Sequence, residues 1–247
     1  MIHIFFVGFL AFFSEYLDSA LGMGYGTALA PCLILLGYDP VIVVPAILIS
    51  QLMTDVATCL LHHRFSNVNL RRNSPDFRIA MTLGSVSILG VIVSAFTALH
   101  IPAWFLKLYI GLLVCAVGVL ILFQNNKIFP FSWKKIMGIG FVAAFNKGIS
   151  GGGYGPLLMG GQILSGVNIK NAVGITAFAE AITCLAGFLI YCFLGKTIDW
   201  RLIILLVIFA VPAVPFAAVT VKKTRTVTLK KYAGVLIALL GLLTLTK

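Results

Sequence analysis

Charge is scarce in this chain. Only 10% of its 247 residues are charged and only seven are acidic, where an ordinary soluble domain carries about 25% charged residues. That is too little to solvate a globular surface, and a soluble fold is excluded. Cysteine is sparse and has no pairing pattern. Cys32, Cys59, Cys115, Cys184 and Cys192 all lie in apolar stretches without CxxC spacing. This excludes a disulfide framework and a zinc ribbon, and the five read as small core side chains. No Lys or Arg precedes Arg64. The opening MIHIFFVGFLAFFSEYLDS therefore lacks a basic n-region, and no cleaved signal peptide is expected. Catalytic signatures are missing as well: there is no H-E-x-x-H, no G-x-S-x-G with a His partner at depth, and GGGYG lacks the Lys-Ser/Thr of a P-loop. An intramembrane or cofactor-dependent enzyme is disfavoured. No metal site is expected either, because His62 and His63 adjoin Arg64 without Cys or carboxylate partners at metal spacing and read as solvated loop residues.

What the sequence has instead is apolar length. Hydrophobic residues make up 60% of it, with a mean hydropathy of +1.08. The runs are continuous rather than alternating, which excludes a transmembrane β-barrel and leaves a helical bundle. Segments bounded by Pro, Gly or charge predict six ordinary spans, at 41–61, 79–99, 104–123, 171–193, 202–219 and 230–246. Trp104, Trp133 and Trp200 lie at span ends and read as interfacial anchors. The net charge of +11 falls in short loops, so it reads as a topology signal and not as a nucleic-acid patch.

Two apolar segments do not fit a simple span. Residues 2–36 and 136–164 are each interrupted by glycines, GMGYG at Gly22–Gly26 and SGGGYG at Ser150–Gly155. Each glycine weakens a helix by about 1 kcal/mol, so an unwound turn is expected in both. If 136–164 is a re-entrant hairpin, the inner loops hold 13 basic residues (Arg64, Arg71, Arg72, Arg78, Lys127, Lys134, Lys135, Lys170, Lys222, Lys223, Arg225, Lys230, Lys231) against 3 outside (Lys196, Arg201, Lys247). If it crosses fully, the split falls to 10 against 6. The hairpin satisfies the positive-inside rule better.

Sliding the sequence by 129 positions places Gly22, Gly24, Tyr25 and Gly26 on Gly151, Gly153, Tyr154 and Gly155, and Thr54 on Thr183. The expected architecture is one all-α, polytopic membrane domain built from two repeats, 1–123 and 136–247, with a cytoplasmic linker at 124–135. Each repeat holds one glycine-tipped re-entrant helical hairpin and three transmembrane helices. An odd number of crossings inverts the second repeat, an arrangement found in transporters. The half-helices that begin at the two tips, one with Pro156 in its first turn, would aim their N-terminal amides at a central anion.

The segments GMGYGTALAPCLILLGYDP and GGGYGPLLMGGQILSGVN, with the Asn-Val-Asn and Ile-Asp-Trp-Arg stretches, resemble the sulfite exporter TauE/SafE family over essentially the whole chain. The resemblance implies export of small sulfur-containing anions such as sulfite, sulfoacetate and other organosulfonates across the cytoplasmic (inner) membrane, linked to protons. No cofactor is implied. The first hairpin departs from the usual glycine run by reading Gly-Met-Gly-Tyr-Gly. Neither turn contains Cys, which argues against a Cys-based thiosulfate relay.

Polar side chains at membrane depth cost about 3 kcal/mol each and need a reason. The expected substrate site comprises the tips, Gly22, Gly24, Tyr25, Gly26, Gly151, Gly152, Gly153, Tyr154 and Gly155, together with Lys147, Gln51, Thr54 and Thr183. Lys147 either pairs with the anion or forms a structural ion pair with Glu15 or Asp18. Gln51, Thr54, Asp55 and Thr58 form one i, i+3, i+4, i+7 stripe, which must face the bundle interior or water. Either threonine hydroxyl can equally bond back to its own helix. Tyr25 and Tyr154 can offer a hydroxyl to the substrate or pack as rings. Glu180, Asp18 and Asp55 are the proton-coupling candidates, with a structural role for Glu180 as the competing reading. Asn146, Gln162 and Asn168 are secondary candidates. A cation carrier, an anion channel and an assembly protein remain open at this point.

Overall fold

The computed structural model describes residues 2–123, 130–167 and 169–223, with isolated positions between 235 and 245. Ten helices are described, α1 (Ile2–Leu21), α2 (Tyr25–Leu35), α3 (Pro40–Arg64), α4 (Pro75–His100), α5 (Ala103–Phe123), α6 (Trp133–Ser150), α7 (Tyr154–Leu164), α8 (Ile169–Phe193), α9 (Trp200–Ala210) and α10 (Ala213–Lys223). No strand occurs among the described residues. Most of the span expected at 230–246, residues 124–129 of the linker and Asn168 lie outside them.

Helix ends follow local chemistry. Asp39 caps α3 by accepting from Val41 N at 2.8 Å, with Pro40 in the first turn, where a missing amide hydrogen costs nothing. Ser74 and Asp199 cap α4 and α9 in the same way. Among the described residues, five stretches are long and apolar enough to cross a membrane: Ile4–Leu21, Pro40–Arg64, Pro75–Ala98, Asn171–Phe193 and Trp200–Val219. The expected spans at 41–61, 79–99, 104–123 and 171–193 are helical as α3, α4, α5 and α8. The expected span at 202–219 is not one rod, because the helix breaks at Val211–Pro212 into α9 and α10. Pro212 and Pro215 have no amide hydrogen to give the preceding turn. In the hairpins the arms are unequal, 20 and 11 residues in the first and 18 and 11 in the second. At 1.5 Å per residue the shorter arms reach about half of a ~30 Å hydrocarbon core, while α1 could cross it alone.

The molecule is apolar outside and polar within. Phe5, Phe9, Leu60, Leu89 and Ile208 are exposed, whereas Glu15, Asp18, Gln51, Lys147 and Glu180 are buried. This inverts the soluble pattern and matches lipid as the surrounding solvent. Trp104, Trp133 and Trp200 are exposed and sit at the first or second position of their helices, as interfacial anchors do.

Helix boundaries repeat at the 129-residue offset, Leu21 with Ser150, Tyr25–Leu35 with Tyr154–Leu164, and Pro40–Arg64 with Ile169–Phe193. Packing repeats with them. The long arm α1 lies on α9 and α10, its counterpart α6 lies on α4, and α3 packs against α8 at the centre. Each hairpin thus rests on helices of the other half. Small residues allow the close approach: a Cβ on Gly90 would lie 2.6 Å from the Phe141 carbonyl oxygen.

The two glycine turns meet backbone to backbone. Gly22 and Gly151 have φ of +69° and +72°, and Gly24 and Gly153 have +142° and +76°, all in the left-handed region that a side chain disfavours. A Cβ on Gly26 would fall on the Gly151 carbonyl, and one on Gly152 would press on the Gly26 carbonyl. Thr27 Oγ1 accepts from Gly153 N at 2.9 Å across the contact. Gly26→Ala is expected to destabilise the detergent-solubilised protein by about 2 kcal/mol or more through overpacking. Gly138→Ala, whose Cβ meets nothing within 4 Å, is expected to leave the thermal midpoint at or above the unmodified value. Equal midpoints for the two variants would show that the tips do not hold each other.

Candidate functional site

The long arms end beside the tips, and the last turn of each carries a charge. Asp18 lies in the last turn of α1 and Lys147 in the last turn of α6, at matched positions of the two repeats. Their main-chain carbonyls cap the turns, accepting from Gly22 N at 2.7 Å and Gly151 N at 2.8 Å. Their side chains turn into the bundle toward α3 and α8, which supply Gln51 and Glu180, also a matched pair.

These four side chains form one bonded group. Lys147 Nζ donates to Glu180 Oε1 at 2.9 Å and to Gln51 Oε1. The Gln51 amide nitrogen donates to the same Glu180 oxygen at 2.9 Å and to Asp18 Oδ2 at 3.4 Å. Gln51 therefore shows its carbonyl to the ammonium and its amide hydrogens to both carboxyls, a fully matched orientation. Asp18 Oδ1 accepts from Tyr25 N at 3.1 Å, which ties the group to the first tip. Lys147 is completely buried and Glu180 only 3% exposed. Of the sequence readings, Lys147 has an ion pair, but its partner is Glu180 and not Glu15 or Asp18.

Around this centre lie further acids. Asp55 sits one helical turn beyond Gln51, and its Oδ2 accepts from Cys184 Sγ at 3.9 Å. Gln51 with Glu180 and Asp55 with Cys184 are both repeat-equivalent pairs in contact, so the line that relates the halves passes between α3 and α8 at this level. Donor atoms of Asp55, Glu180 and Cys184 lie within 4.8 Å of one another. The Lys147 ammonium already occupies Glu180, and a cation entering this triad would have to displace it. On α1, Ser19 Oγ donates to Glu15 Oε1 at 2.6 Å and meets Thr58 Oγ1 at 2.9 Å. The second carboxyl oxygen of Glu15 is buried and makes no hydrogen bond.

The remaining candidates play quieter parts. Thr54 donates back to the Gln51 carbonyl at 3.0 Å and Thr183 to the Ala179 carbonyl at 2.8 Å, as side chains satisfying their own helices do. Tyr25 and Tyr154 are fully buried rings. Their hydroxyls pair with Ser50 at 2.9 Å and with Ser87 at 3.0 Å. The tip amides of Gly22, Gly151, Gly152, Gly153 and Tyr25 all have partners inside the protein. Asn146 accepts from the Tyr109 hydroxyl, and Gln162 donates to Thr176 Oγ1 at 2.7 Å.

Two expectations need correction. His62 is not a solvated loop residue: it closes the last turn of α3, is 3% exposed, and its Nε2 makes no hydrogen bond. Cys192 is exposed at the end of α8 and is not a core side chain, whereas Cys184 is both buried and beside the acids. Ser19, Ser50 and Ser87 escaped the sequence reading because a lone serine in a span carries no pattern. His62 had one, since it continues the Gln51, Asp55, Thr58 spacing by one more turn.

The family model described as "Sulfite exporter TauE/SafE" matches residues 4–244. The chain is 29% identical over 229 residues to a protein of Bacillus subtilis (strain 168) named "Probable membrane transporter protein YtnM", covering 87% of this chain and 73% of that protein. No solved structure matches the chain. A match over nearly its whole length, on an all-helical multi-pass membrane architecture, means that the chain belongs to the sulfite exporter TauE/SafE family of membrane transporters.

Proposed function

We propose that the protein is a secondary transporter that exports small sulfur-containing anions, such as sulfite, sulfoacetate or another organosulfonate, across the cytoplasmic membrane together with protons. Alternating access comes from two inverted repeats whose re-entrant hairpins part at the glycine tips. The observation that carries the reading is the buried ion pair between Lys147 and Glu180, placed where both hairpins and both central helices converge. While Glu180 is ionised it holds the Lys147 ammonium. When Glu180 takes a proton, that hold is lost and the ammonium can face an anion that reaches it between the tips. Proton and anion then load together, because each removes the unpaired buried charge that the other would leave. Gln51 can follow either state by keeping its carbonyl on Lys147 and its amide on Asp18.

A cation carrier is the second reading. Glu15, Asp18, Asp55 and Glu180 surround Lys147 as the single basic side chain of the cluster. Saturable sodium or potassium flux, with no sulfonate flux, would select it.

The transport test uses purified protein in proteoliposomes with sulfite, sulfoacetate and taurine as probes. Glu180→Gln is expected to keep anion movement while losing its acceleration by an imposed pH gradient, and retained acceleration would remove Glu180 as the proton carrier. Lys147→Ala is expected to abolish anion flux and, by stranding a buried carboxylate, to lower stability by about 3–5 kcal/mol. Adding Glu180→Gln to Lys147→Ala should restore the thermal midpoint but not transport. An intact midpoint in the single variant would argue that the pair is not buried as described. For the topology, Ser66→Cys and Lys196→Cys in a chain without other cysteines are expected to label from opposite faces of the membrane. Labelling from one face would break the inverted arrangement.

A further inference from the structure

We propose that protons reach the buried carboxyls along a polar lane between α1 and α3 that runs from His62 to Gln51, and that the second half of the molecule has no equivalent lane. The inference rests on the proton-linked reading above and names its route.

The lane is continuous in position. On α3, Gln51, Asp55, Thr58 and His62 follow one another at helical spacing and all are buried. Eleven residues separate the ends, about 17 Å of helix, or half of a ~30 Å hydrocarbon core. α1 faces this row with Asp18, Ser19 and Glu15. The hydroxyls of Ser19 and Thr58 meet at 2.9 Å, and Ser19 continues to Glu15 at 2.6 Å. Beyond Thr58 by one turn, His62 Nδ1 lies 3.4 Å from Asn67 Nδ2. Asn67 lines a cleft of about 500 Å³ with His63, Arg64, Ser66 and Asn69, all four of them exposed. The cleft delivers water-borne protons to the helix end.

Two orphaned atoms lie along this row, one turn of α3 beyond Thr58 and on the carboxyl that Ser19 bonds. His62 Nε2 and Glu15 Oε2 are buried and make no hydrogen bond, an arrangement costly enough in a protein interior to need a reason. Both belong to groups that accept and release protons. Each hydroxyl between them can surrender its own proton as it takes one, so that a single proton moves from His62 to Glu15 with no charge left behind. From Glu15 the acids Asp18, Asp55 and Glu180 lie within the same cluster, with Lys147 as its basic member.

The second half keeps the centre and lacks the lane. At the 129-residue offset Gln51 and Thr54 are matched by Glu180 and Thr183, but Glu15, Ser19, Asp55, Thr58 and His62 are matched by Ala144, Gly148, Cys184, Gly187 and Tyr191. The Tyr191 hydroxyl is committed to the Gly148 carbonyl at 3.0 Å, and a Cβ on Gly187 would press on Val91 and Leu48. A close-packed apolar contact offers a proton nothing to bind. Two halves that agree at the site and differ along this path assign proton entry to the side of the α3–α4 loop, the cytoplasmic side by its arginines.

The test uses proteoliposomes containing trapped pyranine, with sulfoacetate applied as a probe whose charge does not change near neutrality. The wild-type protein should shift the internal pH as sulfoacetate moves. Thr58→Val and His62→Gln, which keep volume or amide hydrogen bonding, should slow that shift about tenfold or more, and Thr58→Ser should restore it. Tyr191→Phe, in the second half, should match the wild type. Variants are compared only if they elute as the wild type does, and Thr58→Val and His62→Gln each test the lane alone. Proton movement at the wild-type rate in either would overturn the lane while leaving proton linkage standing. Slowing in Tyr191→Phe would overturn its one-sidedness. Sulfoacetate moving without protons, or not at all, would overturn the underlying reading and the lane with it.

Discussion

An ammonium buried in the middle of a membrane protein must be answered by charge, and the interior of this molecule is arranged around that requirement. Lys147 reaches Glu180 from a different helix and the same half, and Gln51 from the other half. Burying two ions costs several kcal/mol each, which their attraction offsets only when geometry is close and the remaining donors are filled. Gln51 supplies what is missing on both sides. Because its amide serves Lys147, Glu180 and Asp18 together, α1, α3, α6 and α8 must keep their relative positions for any of these bonds to close.

That requirement explains why the glycine turns are where they are. Asp18 and Lys147 stand four residues before the positive-φ glycines Gly22 and Gly151, and their carbonyls cap those turns. The charge cluster and the tip contact are therefore mechanically joined: a shift of one hairpin moves both a tip and a cluster member. Backbone-to-backbone contact at Gly26, Gly151 and Gly152 adds a second constraint, since no side chain is present to yield. Such an interface holds or parts as a unit, which suits two bodies that rock against each other.

Repetition supplies the framework, and departures from it supply the chemistry. An acid in the last turn of α1 answers a base in the last turn of α6, and an amide on α3 answers an acid on α8. Two identical halves would set like groups against each other across the central line, where like charges repel. Divergence at Gln51 with Glu180 and at Asp55 with Cys184 turns those encounters into bonds, and divergence at Asp18 with Lys147 puts opposite charges at the two ends of the group that Gln51 joins. The same divergence, carried outward along α1 and α3, makes one half polar where the other is packed with Ala, Gly and Tyr.

Much of this was legible in the sequence, for physical reasons. Lipid forces every span to satisfy its own backbone, so apolar length alone located α3, α4, α5 and α8. Glycines that tolerate positive φ located the turns, and the 129-residue offset matched elements to within a residue. Polar groups are expensive at membrane depth, so Asp18, Gln51, Lys147 and Glu180 stood out as residues that need partners. The sequence could not say which partner each would take, because pairing depends on how helices far apart in the chain cross. Lys147 found Glu180 in place of Glu15 or Asp18. His62 lies inside a helix end packed on α1, although its basic neighbours read as a loop. Pro212 and Pro215 split a run whose hydropathy reads as unbroken. One-dimensional spacing determined the long spans, the two turns and the charged groups that had to be buried, and only the crossing of α1, α3, α6 and α8 decided which of those groups meet and which serines and histidine join them.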